Sequence, residues 1–209
     1  MSAPSASFPT SIQQRTDRWF SRASAALLGQ VPCRAGCFHC CLGPFPITLL
    51  DVRTLQAGLA RLPLSVRQTI EATADEQVSA MEAAYPRLGS SPFLDAWPDA
   101  DIDAVVEQFR ALPCPALDDE GLCRVYEYRP LTCRSMGLPT REGSLIQGAC
   151  DVQTFVPISR LSEAIQEDER RLAQEESLAL ATMRSTTSAE GEEVLISYGF
   201  KKIMRLDHE

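Results

Sequence analysis

The sequence contains no segment of the kind that enters or crosses a membrane. Its longest apolar stretches, such as residues 47–50, are far shorter than the roughly 20 residues of a spanning helix. The first ten residues lack a basic stretch followed by an apolar one, so they do not resemble a secretory signal. We therefore expect a cytoplasmic protein, whose thiols stay reduced.

Positive charge is also scarce. The chain has 20 Lys and Arg against 28 Asp and Glu, which gives a formal net charge of −8. No run of basic residues with interleaved aromatic residues occurs, and such a surface is what binding to phosphates requires. This excludes nucleic acid as an expected partner.

Recognisable catalytic motifs are missing. We find no glycine-rich phosphate loop, no Ser-His-Asp arrangement and no metalloprotease helix, and only two histidines, His39 and His208. The carboxylate run at residues 118–120 is more typical of a turn than of an acid/base pair. A binding module is therefore favoured over an enzyme, and no catalytic residue is predicted.

Apolar periodicity predicts a mainly α fold, an irregular helical domain with one short β-hairpin and a cysteine-rich metal-binding core. We expect disorder in residues 1–10 and a single domain over 11–209, with the cysteines within 33–150 and a C-terminal helical extension. Helices are predicted at 11–29, from Thr48 to Pro63, from Ser65 to Tyr85, from Asp101 to Leu112 and at 159–184.

Local signals refine this pattern. Thr48 is predicted to cap its helix, with Asp51 as an acidic variant of the capping box. Residues 86–98 resemble a linker, and residues 114–126 a hairpin around the acidic turn. Pro130 suits the first turn of a short helix that carries Cys133. Residues 194–204 fit a helix or a strand equally well.

Cysteine is the residue type that the chain has in abundance. Four of the eight lie within nine residues, flanked by glycines. Thiols at this density are a poor way to build a core, because grouping thiolates is costly without a cation, and a good way to bind a soft metal. A single cysteine can still be a small buried hydrophobe, and for Cys114 and Cys150 that alternative stays open.

The spacing suggests how the thiols converge. Cys33, Cys37 and Cys40 can face one centre, which leaves a fourth position for Cys41 or a distant thiol. Because the adjacent Cys40 and Cys41 point in different directions, we expect one of them to join the ligands of the second group. In the predicted hairpin Cys114 faces Cys123, and Cys133 would complete a site. Two adjacent centres and one multinuclear cluster both remain open.

The combined pattern resembles the YkgJ-type cysteine-cluster family (CxxCxxCC), described as zinc- or iron-chelating. The resemblance spans about residues 33–150 and is carried by Cys33-Arg34-x-Gly36-Cys37-x-x-Cys40-Cys41, Cys114-Pro115-x-Leu117 and Gly121-x-Cys123-x-Val125-Tyr126-x-x-Arg129-Pro130-x-x-Cys133-Arg134. Three residues instead of two separate the first two cysteines, and Ser135-Met136-Gly137 stands where an aromatic often follows.

The resemblance implies a bacterial, intracellular protein in which all eight cysteines bind metal: Cys33, Cys37, Cys40, Cys41, Cys114, Cys123, Cys133 and Cys150. Flagellin lysine N-methylases carry a similar cluster in longer chains. The resemblance therefore keeps open an alternative function, a redox or methyl-transfer enzyme that depends on an iron–sulfur cluster.

Three further residues are candidates for supporting the metal. Arg129 and Arg134 would offset the negative charge of a thiolate-rich centre, or else form salt bridges to Glu127 or Asp118. Tyr126 either donates to a sulfur or packs in the core, and the core is favoured. His39 lies among the cysteines but is expected to point outward.

The spacing favours iron–sulfur over zinc only slightly. Structural zinc sites usually draw ligands from two Cys-x2-Cys pairs, and here only Cys37 and Cys40 have that spacing. Three close cysteines completed by distant ones are nearer to iron–sulfur ligation, for instance of a [4Fe-4S] cluster. We predict a metal-chelating, structural or sensing module that binds an iron–sulfur cluster or Zn. A protein partner is compatible with the sequence, which identifies none.

Overall fold

The fold is mainly helical, as the apolar periodicity predicts. A computed structural model describes residues 11–27, 36–138, 140–142, 145–147, 161–187 and 190–201. Cys33, Cys150, Gly29 and the N-terminal segment with predicted disorder lie outside these ranges. The helices are α1 (Ile12–Ala26), α2 (Leu49–Leu59), α3 (Leu64–Ala84), α4 (Pro86–Ser90), α5 (Asp99–Gln108), α6 (Leu131–Ser135), α7 (Glu163–Thr186) and α8 (Ile196–Gly199).

Side-chain caps fix where the long helices begin. Ser11 accepts from the amide of Gln14 at 3.2 Å, and the Gln14 side chain accepts in return from the Ser11 amide at 3.3 Å, which forms a capping box on α1. Thr48 caps α2 by accepting from the Asp51 amide at 3.4 Å, as predicted. Ser162 caps α7, three residues after the predicted start of that helix.

Two short antiparallel ribbons accompany the helices. Strand β1 (Pro46–Thr48) pairs with β4 (Glu193–Leu195), with Ile47 opposite Val194, and β2 (Thr140–Glu142) pairs with β3 (Leu145–Gln147). The β2–β3 hairpin confirms the expected fold class, although it lies after the predicted position. Residues 114–126 instead reverse direction around a single bridge between Leu117 and Cys123.

The larger hydrophobic core joins elements that are distant in sequence. The buried faces of α2, α3 and α8 meet here with β1 and β4, and the core members include Val52, Leu55, Ile70, Val78, Met81, Ile196 and Phe200. Gly199 of α8 lies so close to α2 and β1 that an added Cβ would be 2.8 Å from Cδ1 of Ile47. The C-terminal segment that was ambiguous between strand and helix contains one of each.

A second, smaller core joins α1 to α7 and to the segment after α6. It contains Trp19, Ala23, Leu27, Leu138 and Leu161, and the Trp19 indole donates to the Ile165 carbonyl at 2.9 Å. None of the helices in the described ranges is long and apolar enough to cross a membrane.

Two local predictions were wrong. Asp101 does not cap α5, because that helix already begins at Asp99 behind Pro98, and Asp101 lies in its first turn. The predicted linker at 86–98 contains α4, since Pro86 provides a helix-compatible first position. Phe93 in this segment also bridges to Val194 of β4.

Candidate metal centre

The six cysteines within the described ranges lie on irregular backbone or on a very short helix. Cys40 and Cys41 belong to a 3₁₀ turn (His39–Cys41), and Cys133 lies on α6. Cys114 and Cys123 flank the acidic turn. Long helices and strands would hold side chains on fixed faces. In these short segments the backbone can adopt the conformation that the site requires.

Backbone hydrogen bonds connect the two groups directly. The amide of Cys114 donates to the carbonyl oxygen of Cys41 at 2.7 Å, and the amide of Gly43 donates to the carbonyl oxygen of Leu112 at 2.7 Å. An isolated bridge between Leu42 and Pro113 lies between these two bonds. The chain after the first cysteine group is therefore paired with the chain that enters the second.

The acidic run is a turn, as predicted from its composition. The Asp118 carboxylate accepts from the amides of Glu120 at 3.0 Å and Leu122 at 2.8 Å, and Gly121 follows with φ +77°. A Cβ on Gly121 would lie 2.8 Å from Cδ1 of Phe38. The turn that precedes Cys123 therefore packs against the loop that contains Cys37 and Cys40.

The thiols of five cysteines influence one another electrostatically. Burial raises the pKa of Cys114 to about 12, with the charges of Cys123 and Cys40 adding to the effect. Burial likewise raises the pKa of Cys133, helped by Cys114, Cys40 and Cys123. The hydrogen bond with Cys40 raises the pKa of Cys41, and burial and the charges of Cys40, Cys114 and Cys133 act in the same direction. The structure thus brings both groups of cysteines into one neighbourhood.

Cys40 is the exception among these thiols. The hydrogen bond from Cys41 lowers the pKa of Cys40 to about 7, and the nearby positive charge of Arg129 acts in the same direction. Arg129 also opposes the rise that burial causes in the pKa of Cys123. The neighbourhood therefore contains one thiol that ionises readily and a cation that favours thiolates.

The described residues do not by themselves form a finished coordination shell. Among them, no three His, Cys, Asp or Glu side chains are arranged to hold one metal ion. Cys33 and Cys150, two of the eight cysteines, lie outside the described ranges. The donor chemistry nevertheless fits a soft cation, because a cation would offset both the burial and the mutual repulsion that disfavour thiolates here.

The two candidate arginines are both paired with Asp17 of α1. Arg129 lies 2.8 Å from one oxygen of the Asp17 carboxylate, and Arg134 contacts the other. Arg134 is only 4% exposed and also donates to the carbonyls of Arg129 at 3.0 Å and Glu127 at 2.6 Å. The alternative prediction of salt bridges is confirmed, but the predicted partners, Glu127 or Asp118, were wrong. The acid is supplied by α1, which is far away in the sequence.

Tyr126 was wrongly predicted to pack in the core. It is 57% exposed, and its ring lies under the Arg129 guanidinium at 3.9 Å from the ring centroid. Tyr128 packs inward instead, so tightly that a Cβ on Gly58 would lie 2.6 Å from the Cβ of Tyr128. Tyr126 therefore contacts Arg129, whose charge lies near the thiols of Cys40 and Cys123. His39 is exposed and stacks on Phe38, as expected for an outward-pointing residue.

Sequence reasoning missed the role of Asp51. Its side chain was predicted to complete a capping box, but Oδ1 accepts from the Leu131 amide of α6 at 2.8 Å. The residue is 1% exposed, and its Oδ2 has no hydrogen-bond partner within the described part of the chain. Burial raises the pKa of Asp51 to about 7. Asp51 is also among the charges that raise the pKa of Cys133. From the sequence alone, an acidic residue at the third position of a helix does not indicate that its side chain will bond to a residue so distant along the chain.

The fold and the thiol neighbourhood together define a small helical protein with a cysteine-rich region built for metal chelation. The family model named CxxCxxCC, "Putative zinc- or iron-chelating domain", matches residues 32–151, more than half of the chain. The chain belongs to this family. No curated protein and no solved structure matches it significantly.

Proposed function

We propose that this protein binds iron or zinc through the thiols of both cysteine groups and works as a metal-chelating, structural or sensing module. The ligands would come from Cys33, Cys37, Cys40, Cys41, Cys114, Cys123, Cys133 and Cys150. The observation that supports this most strongly is the direct connection of the two groups, in which the amide of Cys114 donates to the carbonyl oxygen of Cys41 at 2.7 Å across more than 70 residues of sequence.

Arg129 is proposed to stabilise the loaded site. Four thiolates around a divalent ion leave a net charge of −2, and Arg129 already favours the thiolates of Cys40 and Cys123. Asp17 and the Tyr126 ring hold its guanidinium from two sides. Arg134 is turned toward backbone carbonyls and Asp17, so its role would be to position Arg129 through their shared carboxylate.

An all-sulfur donor set with a single Cys-x2-Cys pair favours an iron–sulfur cluster over zinc. A cluster would supply electron exchange, whereas zinc would supply only structural stability. The protein's own contribution is the same for either: it gathers the thiols, places Arg129 beside them and shields Cys133 and Cys114.

Metal content of protein purified without oxygen tests this proposal. We expect either a brown chromophore near ~400 nm with iron and sulfide, as is typical of iron–sulfur proteins, or colourless protein with about one to two equivalents of zinc. Elemental analysis with an absorption spectrum distinguishes the two. Protein that is folded but contains only traces of either metal would refute the proposal.

Cys133→Ser tests whether the second cysteine group participates. Loss of the Cys133 thiol should lower both metal content and thermal stability, because metal binding and folding are linked. His39→Ala is the matched control, since His39 is next to Cys40 but exposed. Normal metal content in Cys133→Ser would mean that the ligand set is wrong, and loss in His39→Ala would mean that a histidine ligand has been overlooked.

A further inference from the structure

A cavity of about 150 Å³ lies between α1, α6 and α7, on residues that carry none of the cysteines. Its lining is divided between apolar and polar side chains. The apolar part is formed by Ile12, Trp19, Leu131, Leu172 and Ala173, and the polar part by Thr16, Thr132, Ser135, Glu169 and Glu176. The size is comparable to that of a protein cavity of about 150 Å³ that accepts benzene.

Two carboxylates, Glu169 and Glu176, give the polar part of the cavity its negative charge. Glu176 forms no ion pair with any of the described residues, and its Oε1 accepts a hydrogen bond from the Thr48 hydroxyl at 3.3 Å. Burial raises the pKa of Glu176, the hydrogen bond from Thr48 opposes that rise, and the charge of Glu193 adds to it. A carboxylate that is partly desolvated without a cation is an energetic cost that a positively charged ligand would remove.

A further carboxyl group lies behind the cavity wall. Asp51 accepts a hydrogen bond from the amide of the cavity-lining Leu131 through Oδ1, while its buried Oδ2 has no hydrogen-bond partner among the described residues. Thr48 connects the two acids, because its hydroxyl contacts both Glu176 and the Asp51 amide. The charge of Glu176 contributes to the raised pKa of Asp51, so the two acids lie near each other beside the apolar walls.

We infer that this cavity binds a small organic cation, an alkylammonium whose apolar body lies against Trp19 and Leu172 and whose charged nitrogen lies at Glu176. The carboxylate would accept a charge-assisted hydrogen bond, and the apolar lining residues would contact the methylene groups. The occupant meets α6 on the residues that flank Cys133, so the cavity is a neighbour of the proposed metal centre. The inference does not depend on which metal is bound.

The test uses the full chain as purified with its metal and follows the two tryptophan indole N–H signals by NMR. Trp19 lines the cavity, and Trp97 beside Arg87 is an internal reference. Butylammonium should shift the Trp19 signal saturably and leave Trp97 in place. Butan-1-ol, which has the same number of heavy atoms without the charge, should bind about tenfold more weakly or worse, as expected for a lost hydrogen bond to a charged group.

Glu176→Gln should weaken butylammonium binding by about tenfold or more and remove its advantage over butan-1-ol. Glu163→Gln is the matched control on the same helix, because the Glu163 side chain is almost fully exposed, and it should leave the affinity unchanged. Equal affinities for the two probes in the unmodified protein, or no saturable Trp19 shift, would overturn the inference without reliance on any variant. An equal weakening by both substitutions would overturn it as well.

Discussion

The acid that holds the two arginines beside the cysteines is Asp17, more than 100 residues before them in the sequence. Arg134 is almost fully buried, so its charge depends on that carboxylate and on backbone carbonyls. Asp17→Asn should destabilise the protein, because the buried Arg134 loses its countercharge. We expect a loss of about 1–3 kcal/mol, a range that takes account of the partial exposure of Asp17. Chemical denaturation measures the change.

Asp168→Asn is the control for Asp17→Asn. It also removes a carboxylate that pairs with an arginine of α1, but Arg22 is largely exposed, so we expect a loss below about 1 kcal/mol. If both variants lost the same amount, burial of Arg134 would not be what makes Asp17 important.

Asp51 predicts a distinctive dependence of stability on pH. Its folded-state pKa of about 7 lies above its ordinary value of 3.8, so between these values the folded state holds the proton more tightly than the unfolded state. Stability contributed by the protonated acid is complete below about pH 4 and is lost as the pH rises toward 7. Since each pKa unit between the two values corresponds to about 1.36 kcal/mol, the total loss of stability is up to about 4 kcal/mol.

Asp51→Asn keeps an oxygen for the Leu131 amide and removes the titration. Urea denaturation of chelator-treated, reduced protein at pH 4 to 8 should therefore show that the free energy of unfolding depends less on pH in the variant. The slopes of the two curves should differ only between about pH 4 and 7. Parallel curves would show that Asp51 titrates in the folded state as it does in the unfolded chain.

At the scale of secondary structure, long periodic segments were predictable and short ones were not. α3 contains buried residues at Ile70, Ala74, Val78 and Met81, a repeat that the sequence displays directly. β1 and β4 are three residues each, which is too short for an alternating pattern, and they pair across almost 150 residues. The positions of Asp17 and Asp51 were unpredictable for the same reason, since only the assembled fold brings them to their partners.

The acidic turn illustrates how a short element positions the site. Gly121→Ala should destabilise the protein by about 1–2 kcal/mol, because Gly121 has φ +77° and a Cβ there would meet Phe38. Because the contact joins the loops of Cys40 and Cys123, metal content should fall too. Thermal denaturation and elemental analysis measure the two effects.

Gly89→Ala provides the matched comparison for Gly121→Ala. Gly89 lies in α4, and the nearest atom to an added Cβ is 3.9 Å away, an ordinary contact. This variant should be neutral or slightly more stable, since alanine restricts the unfolded chain more than glycine does. A destabilisation equal to that of Gly121→Ala would mean that the left-handed turn is not a special requirement.

At the scale of the whole molecule, the cysteine segments differ from the main core in their content of regular structure, although Ala116 and Val125 of the second segment are buried in that core. The core of α2, α3 and α8 is held by buried aliphatic and aromatic side chains, whereas the segments at 36–45 and 112–135 contain little regular structure. The same division explains why the sequence revealed the donor residues but not their arrangement. The sequence shows which cysteine side chains are available. Their arrangement in space depends on how these irregular segments lie against the core.

Removal of the metal should therefore loosen one part of the protein and spare the other. After treatment with a chelator under reducing conditions, we expect amide hydrogen exchange to quicken in 36–45 and 112–135, because metal binding contributes to the folding of the segments that supply the ligands. The amides of Ile70 to Met81 in α3 should keep most of their protection, since their helix packs in the aliphatic core. Mass spectrometry of the exchanging protein measures both regions in one sample. Uniform loss of protection would show that the main core needs the metal to fold, and unchanged exchange in both cysteine segments would show that the metal does not organise them.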